Sequence, residues 1–220
     1  VGAAGLLANL GYGNDQLIVF YAIILVASIL ALVISIFTTK ATDLRRPVIF
    51  AVALIAIGAW IDTGVSLNSA PYMFYFSQFI IAFAAVYFMG PMVFEGMFRA
   101  IANGPAYIIS FSVIFGISQT IGGLAGAAGI QAFTTIRTQM HYADMVSSMN
   151  TTDPATMTQM LQGVQRQATV AAYDDLFFLM AVSATITALY LLMVYFYYLY
   201  HKRNPLGKEL AALAEMMGKK

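Results

Sequence analysis

The sequence predicts an all-α integral membrane protein, a helical bundle of five transmembrane spans. Three observations carry that reading. The chain of 220 residues is 60% hydrophobic and only 10% charged, with a mean hydropathy of +0.78, whereas soluble domains carry about 25% charged residues. Five apolar segments, near 17–37, 48–67, 72–94, 107–135 and 176–200, each supply about the twenty residues needed to cross a hydrocarbon core of roughly 30 Å. Of the eleven Lys and Arg residues, only Arg137 and Arg166 lie on the side opposite Lys40, Arg45, Arg46, Arg99 and the basic tail. The positive-inside bias then places the N-terminus outside and the C-terminus in the cytoplasm of a plasma membrane.

Composition also excludes. Cysteine is absent, which removes disulfides, thiolate chemistry and cysteine metal sites. His141 and His201 are predicted on opposite sides of the membrane and share no metal. No cofactor motif or nucleophile constellation marks an enzyme, and a net charge of +1 gives no reason to expect a nucleic-acid partner. The chain opens on Val1 without a charged n-region, so its start is not a signal peptide. With five spans and an outside N-terminus it is expected to be the C-terminal part of a longer transporter; a processed five-span protein is the alternative.

In the first span Ser28 and Ser35 share a face, but serines often bond back to their own helix. The loop Ala41–Arg46 leads to Pro47, a residue suited to the first turn of a helix. The second span carries Asp62 about five residues past its midpoint, roughly 7 Å toward the outside. An ionised carboxylate there needs a partner, water or a proton, so Asp62 is a proton-coupling or gating candidate; the alternative is snorkelling toward the interface near Asn68. Span three carries Tyr75, Ser77, Gln78 and Tyr87 in an apolar background and ends in Gly90-Pro91, where a kink or break is expected. Glu95 and Arg99 follow at a spacing that permits pairing.

Span four holds Gly122, Gly123, Gly126 and Gly129, a small-residue face expected to pack tightly against a neighbouring helix; Ser118 and Gln119 precede it. Residues 136–175 read as a long external loop containing one amphipathic helix, begun by Asp153-Pro154 and striped by Met157, Met160, Leu161, Val164, Ala168 and Ala171. That stripe covers the bundle mouth, docks a partner or lies on the membrane. His141 is read as a solvated loop residue with Asp144 its only evident neighbour. Asn150-Thr151-Thr152 is a glycosylation sequon that matters only in a glycosylating compartment. The aromatic run Tyr195–Tyr200 is an interfacial anchor rather than a stacking platform, and the basic tail 201–220 is cytoplasmic and suited to anionic lipid.

These features resemble the C-terminal half of a major facilitator superfamily transporter. Asp43-Leu44-Arg45-Arg46-Pro47 is similar to the D-R-x-G-R-R-type loop of that family's second half. Gln119 to Ala128, followed by Arg137 and His141, resembles the R-Q-x-G-G-x-x-G-x-A span and outer R-x-x-x-H of the fourteen-span drug:proton antiporters, and Tyr173-Asp174-Asp175-Leu176-Phe177 is similar to their Y-x-D-x-F entry to the last span. The resemblance covers about residues 10–200. It implies proton-coupled export of amphipathic small molecules or drugs by alternating access, in a bacterial inner membrane, against an absent N-terminal half. It makes Tyr75, Ser77, Gln78, Tyr87, Ser118 and Gln119 cavity residues, and Asp43, Arg45 and Arg46 a conformational loop. An external adaptor is a further implied partner. Where the subfamily often carries Arg in its glycine-rich span, this chain has Gln119. Transport of siderophores or nutrients, and a scaffold docking an adaptor through the outer loop, are the alternatives.

Overall fold

A computed structural model of the protein describes residues 2–39, 45–147 and 154–201. Asp43, the sequon, Asp153 and the tail beyond His201 lie outside these residues. The described chain is helical throughout: α1 (Gly2–Asn9), α2 (Ile18–Thr38), α3 (Arg45–Ile61), α4 (Tyr75–Asn103), α5 (Pro105–Ser147) and α6 (Pro154–Tyr200), with short 3-10 turns before α2 and α4. Among the described residues, four helical segments are long and apolar enough to cross a membrane, which marks a membrane protein. The predicted second span is a helix of 17 residues, about 25 Å at 1.5 Å per residue.

Three expected boundaries differ. Helix α4 runs through Gly90-Pro91 without a break for 29 residues. Pro91 is buried, and the carbonyl it frees lies inside the bundle where neighbouring helices tolerate the defect. The expected inner loop after it is helical, and Arg99 donates to Glu95 at 2.6 Å one turn away. Residues 136–175 do not form a loop with a separate helix: α5 continues to Ser147 and α6 begins at Pro154 and enters the last span unbroken. At 43 residues α5 is about 65 Å long, more than twice the roughly 30 Å hydrocarbon core.

Tight packing sits elsewhere than expected. Among the described residues, no atom beyond their own helix turn lies within 4 Å of a Cβ added to Gly122, Gly123, Gly126 or Gly129. Every residue from Gly116 to Gly129 is exposed. The close helix approach is between α2 and α4, which contact each other extensively. There Ala27, Ala31 and Ser35 form a small-residue row spaced by four, and all are buried. A Cβ on Gly90 would collide with Ser35 Oγ. Small residues let backbones approach where no hydrophobic effect drives association, and within the described chain that device operates on α2. Ser28 does bond back to its own helix, at 2.8 Å from Ile24 O.

The helices alternate in direction, so the bundle has a basic end and an opposite end. At the basic end, Arg46 Nε donates to Tyr195 Oη at 2.8 Å, and the Arg45 guanidinium sits 3.8 Å from the centroid of Tyr198. The aromatic run is therefore also a stacking platform, contrary to expectation, because the start of α3 lies beside the end of α6. At the opposite end a core of Leu6, Leu7, Leu17, Phe20, Phe74 and Phe177 joins α1, α2, α4 and α6. Between the ends, Trp60 donates to Thr185 Oγ1 at 3.0 Å and meets Phe178 edge to face, fixing α3 on α6.

Candidate functional site

At the end of α3 the helix stops at Ile61 and the chain turns through Gly64, whose φ of 80° suits a residue without a Cβ. Asp62 therefore does not sit inside a helical span; it is the first residue of this turn. It is nonetheless only 2% exposed, because α4 covers it. Gln78 Nε2 on α4 donates to its Oδ2 at 2.6 Å. Among the described residues Asp62 Oδ1 is buried and has no hydrogen-bond partner. The side chain is turned into the bundle rather than out to its surface. Two residues singled out separately in the sequence, the intramembrane acid and the cavity glutamine, are one bonded pair.

Of the remaining cavity candidates only Ser77 lies beside the Asp62–Gln78 pair; the others are elsewhere. Ser77 is fully buried and donates to Phe74 O of its own helix at 3.0 Å. Tyr87 is buried, shares a 2.9 Å hydrogen bond with Thr38 Oγ1 and stacks on Phe83. Tyr75 is half-buried against the core of the opposite end. The two tyrosines are packing residues of the α2–α4 contact and its surroundings. Only Ser118 and Gln119, exposed on the open stretch of α5, face outward.

Next to the Asp62 turn lies an arrangement that spacing alone could not reveal. Asp174 and Asp175 are consecutive on α6, so their side chains point about 100° apart. Asp174 Oδ1 accepts the Gly64 N–H at 2.6 Å, holding the Asp62 turn against α6. Asp175 Oδ2 accepts Arg137 Nε at 2.7 Å and lies 2.7 Å from His141 Nε2. Arg137 and His141 are one turn apart on α5, so one carboxylate clamps two successive positions. His141 is thus paired with Asp175, not Asp144. The sequence signal was present as the Arg137–His141 spacing and the Tyr173–Phe177 run, but nothing local joined them across 34 residues.

Burial raises the Asp175 carboxyl, but the hydrogen bonds from His141 and Arg137 and their charges outweigh it and hold the group below the ordinary carboxylate value. A depressed folded value means that the stabilisation is complete above the unfolded value, about 3.9. It is lost as pH falls through the folded one. Asp175→Asn should lower the stability of the α5–α6 contact by about 1 kcal/mol, given how accessible the cluster is to screening. The difference from the wild type should shrink at high salt and at acid pH, which thermal unfolding in detergent would measure.

The stripe expected on the amphipathic segment is largely real. Leu161, Val164 and Ala171 are half-buried and Ala168 is fully buried, where α6 packs along α5. Met160 stays exposed, and the Met157 side chain lies outside the described residues. Comparison with protein-family models, curated proteins and solved structures finds no match to this chain.

Proposed function

We propose that this chain is part of a secondary active transporter that exports amphipathic small molecules using the proton gradient, with Asp62 as the proton-carrying or gating group. The buried Asp62 with one unpartnered oxygen carries this reading. An ionised carboxylate deprived of partners in such a bundle costs several kcal/mol. A proton on Oδ1 removes that charge while Gln78 continues to hold Oδ2. Release of the proton requires water or a cation to reach Oδ1, and so requires the α3–α4 turn to open. Since the same turn is hooked to α6 through Gly64 and Asp174, opening is coupled to the helix pair α5–α6.

The open stretch of α5 supports the same reading. Ser118 and Gln119 have no side-chain partner among the described residues and sit in an apolar helix. Polar side chains in hydrocarbon face a bundle interior or a water-filled path. The proposal therefore moves the substrate path from α4 to α5 and has α5 face a further helical bundle, against which this one rocks. The five-span, major-facilitator-like architecture, with the N-terminus outside and the C-terminus in the cytoplasm, belongs to the same proposal. The gathering of Arg45 and Arg46 at one end supports that orientation.

The test is export of a fluorescent lipophilic cation from cells expressing the full-length gene, with and without a protonophore. Gln119→Leu should reduce protonophore-sensitive export about tenfold, the size expected for losing a hydrogen bond to substrate. Tyr87→Phe, which alters a buried packing residue, should leave it within about twofold. Equal export from the wild type and an empty vector would sink the reading. A second reading has one observation in its favour. The α5 and α6 segments beyond the hydrocarbon core form a helix pair exposing Gln162, Gln165 and Arg166, a surface on which an external adaptor could dock. In that case adaptor capture would depend on this pair and not on Gln119.

A further inference from the structure

A cavity of about 250 Å³ opens between α1, α5 and α6, at the end of the bundle opposite the paired arginines. Every residue that lines it is of a polar, uncharged type, among them Asn9, Gln131, Thr138, Gln139, Gln165 and Tyr173. The positions recur on one face of each long helix: 131, 134, 135, 138 and 139 on α5, and 165, 169 and 173 on α6. That periodicity is the one amphipathic helices use for a common face. Of the charges beside these positions, Arg137 and Asp175 are bonded to each other and Asp174 to the Gly64 N–H.

The hydrogen-bonding state of the lining defines what it can take. Among the described residues the side-chain amides of Gln131, Gln139 and Gln165 carry no partner, so each offers donors and an acceptor. Thr134 and Thr169 donate to carbonyls of their own helices, which leaves their oxygens as acceptors. Asn9 Nδ2 donates to Tyr173 Oη at 3.2 Å, so the phenolic proton is free to point at a ligand. Burial, opposed by that Asn9 bond, holds the phenol above its ordinary value and keeps it a neutral donor. Asn9 is itself fixed, donating to Gly5 O at 2.9 Å. No residue of the lining offers a charged ligand a counter-charge. An apolar one would leave several amides unsatisfied, at a cost greater than its contacts return. A molecule whose groups each donate and accept matches all of them. The volume lies just below the roughly 300 Å³ at which drug-sized sites begin, so the guest is small.

We propose that this cavity binds a neutral polyhydroxylated molecule of monosaccharide size, presented either free or as the sugar headgroup of a glycolipid. The site is separate from Asp62 and does not depend on the transport reading.

The probes are D-glucose, for the free form, and monoglucosyl diacylglycerol, for the lipid form, each offered to the whole chain in phosphatidylcholine nanodiscs. Saturation-transfer NMR reads glucose binding, and native mass spectrometry reads retention of the glycolipid. Saturable binding in either arm is expected, with glucose 6-phosphate at least tenfold weaker than glucose if the free form is the guest. Gln131→Leu combined with Gln165→Leu should lower binding about tenfold, the loss expected for two neutral hydrogen bonds. Both positions are exposed, so the fold tolerates the change; Gln139→Leu, also exposed, serves as a second variant and should weaken binding in the same direction. Absence of saturable binding in both arms overturns the proposal, as does binding that all these variants leave unchanged.

Discussion

Gly90→Val should abolish the folded bundle. A Cβ at this position overlaps Ser35 Oγ and crowds Ser35 Cβ at 3.0 Å, and Ser35 is itself buried, so neither helix has space to yield. Overpacking of a well-filled contact costs about 1–3 kcal/mol even where side chains can repack. Here the collision lies where two helices approach through their smallest residues, and it should exceed that range. Monodisperse yield on size-exclusion chromatography in detergent should fall to background. Gly90→Ala should be partly rescued by Ser35→Gly, which removes the colliding hydroxyl. A wild-type yield for Gly90→Val would mean that α2 and α4 do not meet at this point.

Gly126→Leu should give the opposite pattern: an intact chain and a lost activity. Among the described residues, nothing beyond its own helix turn lies within 4 Å of an added Cβ at Gly126, so the bundle itself has no reason to respond. If α5 packs against a further bundle through its glycine row, a leucine holds the two apart, with a penalty on the order of a few kcal/mol in the assembled transporter. Export of the lipophilic cation should then fall on the order of a hundredfold while yield and thermal unfolding of the chain stay at wild-type values. Unchanged export would show that this face meets only lipid. The native chain has no cysteine, so single-cysteine crosslinking along the same row can report the partner without removing other thiols.

How much of this was legible in the sequence depends on the range of the interaction. Helix content and apolar length follow from local composition, and so do the Glu95–Arg99 pair and most of the stripe from Leu161 to Ala171. The error at Pro91 came from treating proline as a local breaker, whereas the surrounding helices decide whether its defect is tolerated. The misplaced tight contact has a simpler cause. A GxxxG row is the loudest small-residue signal, and Ala27-Ala31-Ser35 carries the same spacing without a glycine. The glycine that completes that contact, Gly90, sits beside a proline and reads as a hinge.

The sites needed tertiary information. Asp62 was conspicuous as an acid in an apolar segment and Gln78 as an amide in another, but their 2.6 Å bond follows from the turn at Gly64, which sets how α3 and α4 face each other. The Asp174-Asp175 pair looks redundant in sequence. Its division, one carboxylate to a backbone N–H on the α3–α4 turn and one to Arg137 and His141 on α5, is a consequence of helical geometry meeting two neighbours. The polar cavity was legible in principle, as glutamines and threonines recurring at helical spacing on two segments. It was hidden because the expected boundary at 135 divides the α5 positions between a span and a loop, and nothing local sets α5 beside α6.

The transport proposal rests on Asp62 as the carrier of the coupling proton. The most direct measurement compares wild type and Asp62→Asn in proteoliposomes loaded with the fluorescent cation, following exchange at equal pH and accumulation under an imposed pH gradient. Asparagine keeps the shape and the contact with Gln78 but cannot exchange a proton. Asp62→Asn should retain exchange while gradient-driven accumulation falls to the level of protein-free liposomes. Accumulation by Asp62→Asn equal to the wild type would contradict the proposal.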